Sequence, residues 1–120
     1  MNWDKAFENY RISCYEIYKW IVGESNAIAF PEFTNRLFQK SITEKGYLEN
    51  EERALEFFDK AFIICYIIPI GFNRFQSEVE SEYRKIVCND WESRREATLS
   101  VLENALDLLQ EREIEHRKHK

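Results

Sequence analysis

Twenty-two acids, two histidines and three cysteines are the side chains in this 120-residue sequence fit for acid–base, metal or thiol chemistry. The acids recur in close groups, as in Glu51-Glu52 and in Glu78, Glu80 and Glu82. General acid–base catalysis needs carboxyls in a cleft that separates their pKa values. These lie at helix starts or in helical runs without an apolar setting, so they read as solvated or dipole-favoured. Glu113 and His116 have metal-site spacing, with His119 three residues on. A di-metal centre in a helical bundle needs two such motifs and two further glutamates. One motif among Arg117, Lys118 and Lys120 therefore predicts no metal site. Cys14 and Cys65 fall on apolar stripes and read as core thiols, while Cys88, near Asp90, has no histidine in sequence reach. No G-x-S-x-G, P-loop or G-x-G-x-x-G occurs, so no cofactor is predicted. Whether the chain is an enzyme stays open, with the balance against it.

Arg112 and His119, with six residues between them, resemble the R-x(4–6)-H pair of HEPN-domain ribonucleases, which are small helical dimers. The resemblance covers these two residues. That family usually has a polar residue after the arginine, and this chain has Glu113. It implies a weak nuclease-like enzyme using the C-terminal tail, a reading kept beside a metal-dependent one.

The elements that must position these groups are read first from composition. Three glycines and two prolines are few for a fold rich in tight turns, and Asn-Gly and Asp-Gly are missing. Apolar residues at 44% and charged residues at 32% suit one packed domain over residues 1–120. The net charge of −5 is spread evenly, with 11 acids and 8 bases in residues 1–60 and 11 and 9 in 61–120. No basic stripe is present, so nucleic acid is not an expected partner. Three widely spaced cysteines predict a reducing compartment, and the first ten residues lack the pattern of a secretory signal; together they predict a cytoplasmic protein.

Apolar spacing predicts a first helix over residues 2–22 ended by Gly23, and a second opening at Pro31 and ending by Gly46. A third is predicted from Glu51 to Ile68, capped by Asn50 and stopped by Pro69, and a fourth from about Ser77. The last begins near the S-x-x-E box of Ser93–Glu96 and carries Leu99, Leu102, Leu106 and Leu109. The expected fold is an all-α, single-domain bundle of four to five helices, with a charged tail frayed from about residue 115. The run "AFIICYIIPIGF" (61–72) lies between charges, is too short to span a membrane, and reads as the bundle's central helix.

What remains is a surplus of aromatic and apolar side chains. Tyr15 and Trp20 lie off the first helix's core stripe, and Ile63 and Ile67 continue a face that starts polar. These four are the candidate partner-binding residues. The favoured function is a non-enzymatic protein–protein interaction module: a small regulator, inhibitor or immunity-type binder. Its partner is expected to be a protein, with a basic chain or a second copy as the alternatives, and no membrane. A second function is binding of an apolar small molecule between helices, against Phe58, Phe62, Tyr66 and Tyr83.

Overall fold

A computed structural model describes residues 1–118. In chain order the described elements are helices α1 (Trp3–Asn9), α2 (Arg11–Val22), α3 (Asn35–Lys45) and α4 (Glu51–Lys60), strands β1 (Ile64–Gly71), β2 (Arg74–Glu80) and β3 (Lys85–Trp91), and helix α5 (Arg94–Lys118). The strands form one antiparallel meander in the order β1-β2-β3. The fold is therefore α+β, and the expected all-α helical bundle is corrected: the third expected helix stops at Lys60, and the fourth is replaced by strands.

The local signals explain the correct and the incorrect boundaries alike. Asn2, Thr34 and Asn50 cap α1, α3 and α4 through side chains that accept from the amides of Lys5, Leu37 and Arg53. Gly46, at φ 78°, ends α3 in the left-handed conformation. The single helix expected over 2–22 is broken at Tyr10, whose φ of −131° and ψ of 45° are not helical. Ser93 Oγ accepts from the Glu96 amide, and Glu96 in turn accepts from the Glu92 amide, opening α5.

The run 61–72 forms a strand because it is rich in β-branched isoleucine and because the chain reverses at Phe62. Phe62 holds φ at 61°, a left-handed conformation that ends the helical path. The hairpins then turn without Asn-Gly. Asn73 supplies a positive φ of 56° between β1 and β2. Between β2 and β3, Ser81 Oγ accepts from the amides of Tyr83 (3.2 Å) and Arg84 (3.4 Å).

The central helix is α5, not the 61–72 run. Ala97, Val101, Leu102, Ala105, Leu106, Leu108 and Leu109 are all buried on it. One side lies on the inner face of the sheet, where Cys65, Ile67, Val79 and Ile86 pack into the core, and the other meets α2 and α4. Each fully buried leucine contributes about 1.5–3 kcal/mol. The α2 contact is close and polar: Ser13 Oγ donates to the Leu106 carbonyl at 3.0 Å, and Gln110 Oε1 accepts from the Ser13 amide at 2.9 Å.

Arg112 fastens the α4–β1 reversal to the rest of the molecule. Its guanidinium donates to the Ala61 carbonyl and, at 3.4 Å, to that of Phe62. It also grips Glu82, in the β2–β3 turn, through two bonds of 2.7 Å. The Arg112 side chain is 11% exposed while that of Glu82 is 47% exposed. The two halves of this contact therefore differ in weight, because an exposed carboxylate rehydrates fully when released and the half-buried Ala61 carbonyl only in part. Arg112→Ala is expected to lower the unfolding free energy by about 2–3 kcal/mol, and Glu82→Gln by less than about 1 kcal/mol. Urea titrations followed by circular dichroism check both; equal effects would show that the ion pair, not the carbonyl contacts, holds the junction.

Candidate interaction surface

Both faces of β1 are apolar, and only one is covered. The odd-numbered Ile63, Cys65 and Ile67 face α5 and α4. The even-numbered residues from Phe62 to Phe72 are also all apolar. On that outer side Ile64, Tyr66 and Ile70 are 42%, 44% and 45% exposed, and Val87 of β3 is 45% exposed. Phe62 and Phe72, at the two ends of β1, are 81% and 94% exposed. With aromatic side chains contributing 150–250 Å² each when fully bare, this strip presents roughly 600 Å² of apolar surface. That is at the upper end of the largest patch on an ordinary monomer. The same face carries Glu78, opposite Tyr66 and joined to Lys85, and Glu80, opposite Ile64.

β1 is also an edge strand. Its one partner is β2, and no strand among the described residues pairs with its other edge. Beside that edge runs a groove of about 580 Å³ between β1 and α4, with Ile63, Cys65 and Ile67 on one wall and Leu55, Glu56 and Asp59 on the other. Burial, and after it the nearby Asp59 carboxylate, push the Cys65 thiol up to about 12, so it is not a reactive thiolate.

A second cleft, of about 510 Å³, opens where α2, α4 and α5 meet. Trp20, 41% exposed, forms its aromatic wall, set edge-on to Tyr47 and Phe57 at 5.4 Å each. Glu16 and Glu113 stand together there, with Lys19 bonded to Glu16 at 2.5 Å. Desolvation first, then the charge and hydrogen bond of Glu16, raise Glu113 to about 7, against the pull of Lys19 and Arg117. Glu113 is thus an acid of this cleft that its surroundings bias toward the protonated form. His116 also lines it, and no group of three or more His, Cys, Asp or Glu among the described residues is placed to hold a metal.

The four partner-binding candidates separate. Tyr15 is buried, its hydroxyl donating to the Ile28 carbonyl at 2.7 Å, and Ile63 is buried in the core. Ile67 is half-buried beside the α4 groove, and Trp20 lines the other cleft. The four small-molecule candidates do not converge either. Phe58 is in the core, Phe62 stands at the reversal, Tyr66 projects on the outer face, and Tyr83 sits exposed in the β2–β3 turn. Arg112 is occupied with the junction, and His119 lies outside the described residues. No helix among the described residues is long and apolar enough to cross a membrane. Sequence reading missed Ile64, Ile70 and Phe72, because a run apolar at every position hides which half faces outward. The alternation Phe75, Ser77, Val79 against Arg74, Gln76, Glu78, Glu80 in β2 was the available signal.

Two measurements follow from this geometry. Phe62 spends left-handed backbone strain on a side chain that buries almost nothing, so Phe62→Asn should raise the unfolding free energy by about 0.5–1 kcal/mol. A fall in stability, read by thermal melting, would mean that the ring is covered in solution. For Glu113, the folded pKa lies above the ordinary value of 4.5, so the folded chain keeps a proton that the unfolded chain has released. The stability this gives is complete below about pH 4.5 and is lost as pH rises through about 7. Between pH 5 and 8 the parent chain should lose about 1–2 kcal/mol more than Glu113→Gln does, after allowance for partial solvent screening. Parallel pH profiles in urea would refute this.

No protein-family model matches the chain, and comparison with curated proteins and with solved structures returned no similar protein.

Proposed function

We propose that this chain is a non-enzymatic protein–protein interaction module, a small cytoplasmic regulator or inhibitor, and that it binds through the outer face and open edge of its sheet. The observation that carries this reading is the bare apolar strip on β1, flanked by Phe62 and Phe72. Water contact with such a strip is unfavourable by about 25 cal/mol for each Å², which a bound partner recovers. The retention of Phe62 in a strained backbone conformation supports the same reading, since the ring contributes little to the core. Exposed aromatic and large aliphatic side chains grouped on one face accord with the enrichment of aromatic residues at binding sites. The free thiols at Cys14, Cys65 and Cys88 accord with a reducing cytoplasm.

A photoreactive amino acid placed at Tyr66 or Ile70, in cells that express the chain natively, tests the proposal. It should give a discrete adduct of defined mass that Ile64→Glu abolishes, and the same probe at Glu103 on α5 should give none. Adducts of equal yield at Glu103, or none at Tyr66 and Ile70, would overturn it.

A further inference from the structure

We infer that the open edge of β1 takes an extended basic segment of a partner protein as a fourth strand, with the partner's cationic side chains seated against Glu52, Glu56 and Asp59 of α4. This rests on the reading that the sheet is the binding element, and it names the occupant.

The backbone is ready for such an addition. β1 holds regular register with β2 from Ile64 to Pro69 before the irregularity at Gly71. Its other edge has no strand partner among the described residues. Edge strands are ordinarily guarded by charged side chains, prolines or bulges. Residues 64–71 contain no charge, and the proline and the bulge stand together at the far end, at Pro69 and Gly71. Residues 64–68 are therefore an unguarded template for main-chain pairing.

The groove supplies the side-chain code. An added strand sends every second side chain inward, to the groove between β1 and α4. The floor there is apolar, through Ile63, Cys65 and Ile67, and the α4 rim carries Glu52, Glu56 and Asp59. None of these three acids forms an ion pair among the described residues. Arg53, the cation beside them, is already engaged, donating to the Lys45 carbonyl at 2.5 Å with its guanidinium over the Tyr47 ring at 5.7 Å. An aliphatic stem on an apolar floor with a charged head at an acidic rim is how lysine and arginine pack at a surface. The spacing agrees: about 6 Å from Glu52 to Glu56 along a helix, against about 6.8 Å between alternate residues of a strand. The intervening side chains of the same strand would lie beside Ile64, Tyr66 and Ile68 and should be apolar. A second copy fits less well. Pairing β1 with β1 across a two-fold axis brings no cation to the rim and draws two α4 acid stripes toward one another.

The probe is a fluorescein-labelled, end-capped octapeptide alternating arginine and valine, titrated with the whole chain at low salt and read by anisotropy. Three comparison peptides go with it: glutamate in place of arginine, the same composition in two blocks, and N-methylation of the amides on one edge. The alternating peptide should bind at least tenfold more tightly than each of the three, and Glu52→Lys/Glu56→Lys should weaken it at least tenfold. Backbone amide shifts should concentrate at Ile64–Ile68. Equal binding of the block or N-methylated peptide, or shifts centred on the cleft at Trp20, would overturn the inference. Sedimentation velocity supplies the other arm. A concentration-dependent dimer abolished by Tyr66→Glu would make a second copy the occupant and overturn the basic segment while leaving the sheet as the binding element. If the cross-linking at Tyr66 and Ile70 succeeds and the peptide fails, the occupant alone is wrong; if cross-linking fails, the reading beneath it falls as well.

Discussion

The guanidinium of Arg112 is where three otherwise independent pieces of this chain are made to agree. It reads the carbonyls of Ala61 and Phe62, where a helix becomes a strand, and it holds Glu82, where one hairpin strand turns into the next. All of this is done from α5, the helix that fills the core. The reversal at Phe62, where φ is 61°, closes on backbone bonds from the Phe62 amide to the Asp59 carbonyl (3.1 Å) and from the Ile63 amide to the Phe58 carbonyl (2.9 Å), and Arg112 ties that closed turn to α5. The direction of β1 follows from the reversal, and β2 and β3 follow from β1 through the register of the meander. The hydrogen bonds that the Glu82 carboxylate accepts from Arg112 are the main cause that holds it below the usual range.

The helical half of the molecule was legible at several of its ends and not at others: the helix expected to open at Pro31 begins at Asn35, after a 3-10 turn over Phe30–Glu32, and the one expected over 2–22 breaks at Tyr10. Asn50, Gly46, Gly23 and the Ser93–Glu96 box act as their side chains and backbones dictate, and Leu102, Leu106 and Leu109 of the expected α5 stripe are buried while Leu99 is half-buried outside the core. The sheet was not legible, for two physical reasons. In 61–72 no polar residue marks one face, so period 2 and period 3.6 leave the same trace. The turns use Asn73 and Ser81, which do the work of Asn-Gly without its signature, so few glycines did not mean few hairpins. The alternation in β2 is present in the sequence, and glycine scarcity is a weaker guide to hairpins than that pattern.

The candidate surface was half legible for the same reason. The apolar excess in 61–72 was visible and was tied to a partner, but the residues named for it were Ile63 and Ile67, which line the inner side. On a helix these two share a face that begins polar. On a strand they share parity with Cys65, while Ile64, Tyr66 and Ile70 take the opposite side. A change of period alone moves the bare surface from one set of isoleucines to the other. Glu52 and Glu56, which the sequence presents as solvated, are exposed, and they line a groove because β1 returns alongside α4.

The placement of α5 after the sheet has a consequence for synthesis on the ribosome. The inner face of the sheet packs on α5, as α2 and α4 do in part, and α5 follows all of them in the chain. Until residues 97–109 leave the exit tunnel, the inner face of the sheet lacks α5 while the outer face of β1 is bare, and its uncharged eight residues are exposed to other nascent chains. A vectorially made chain of this design therefore passes through an interval in which its most association-prone segment is complete and its core is not. Slow translation across the β3–α5 boundary would lengthen that interval, and a chaperone that binds extended apolar segments would find its natural client there.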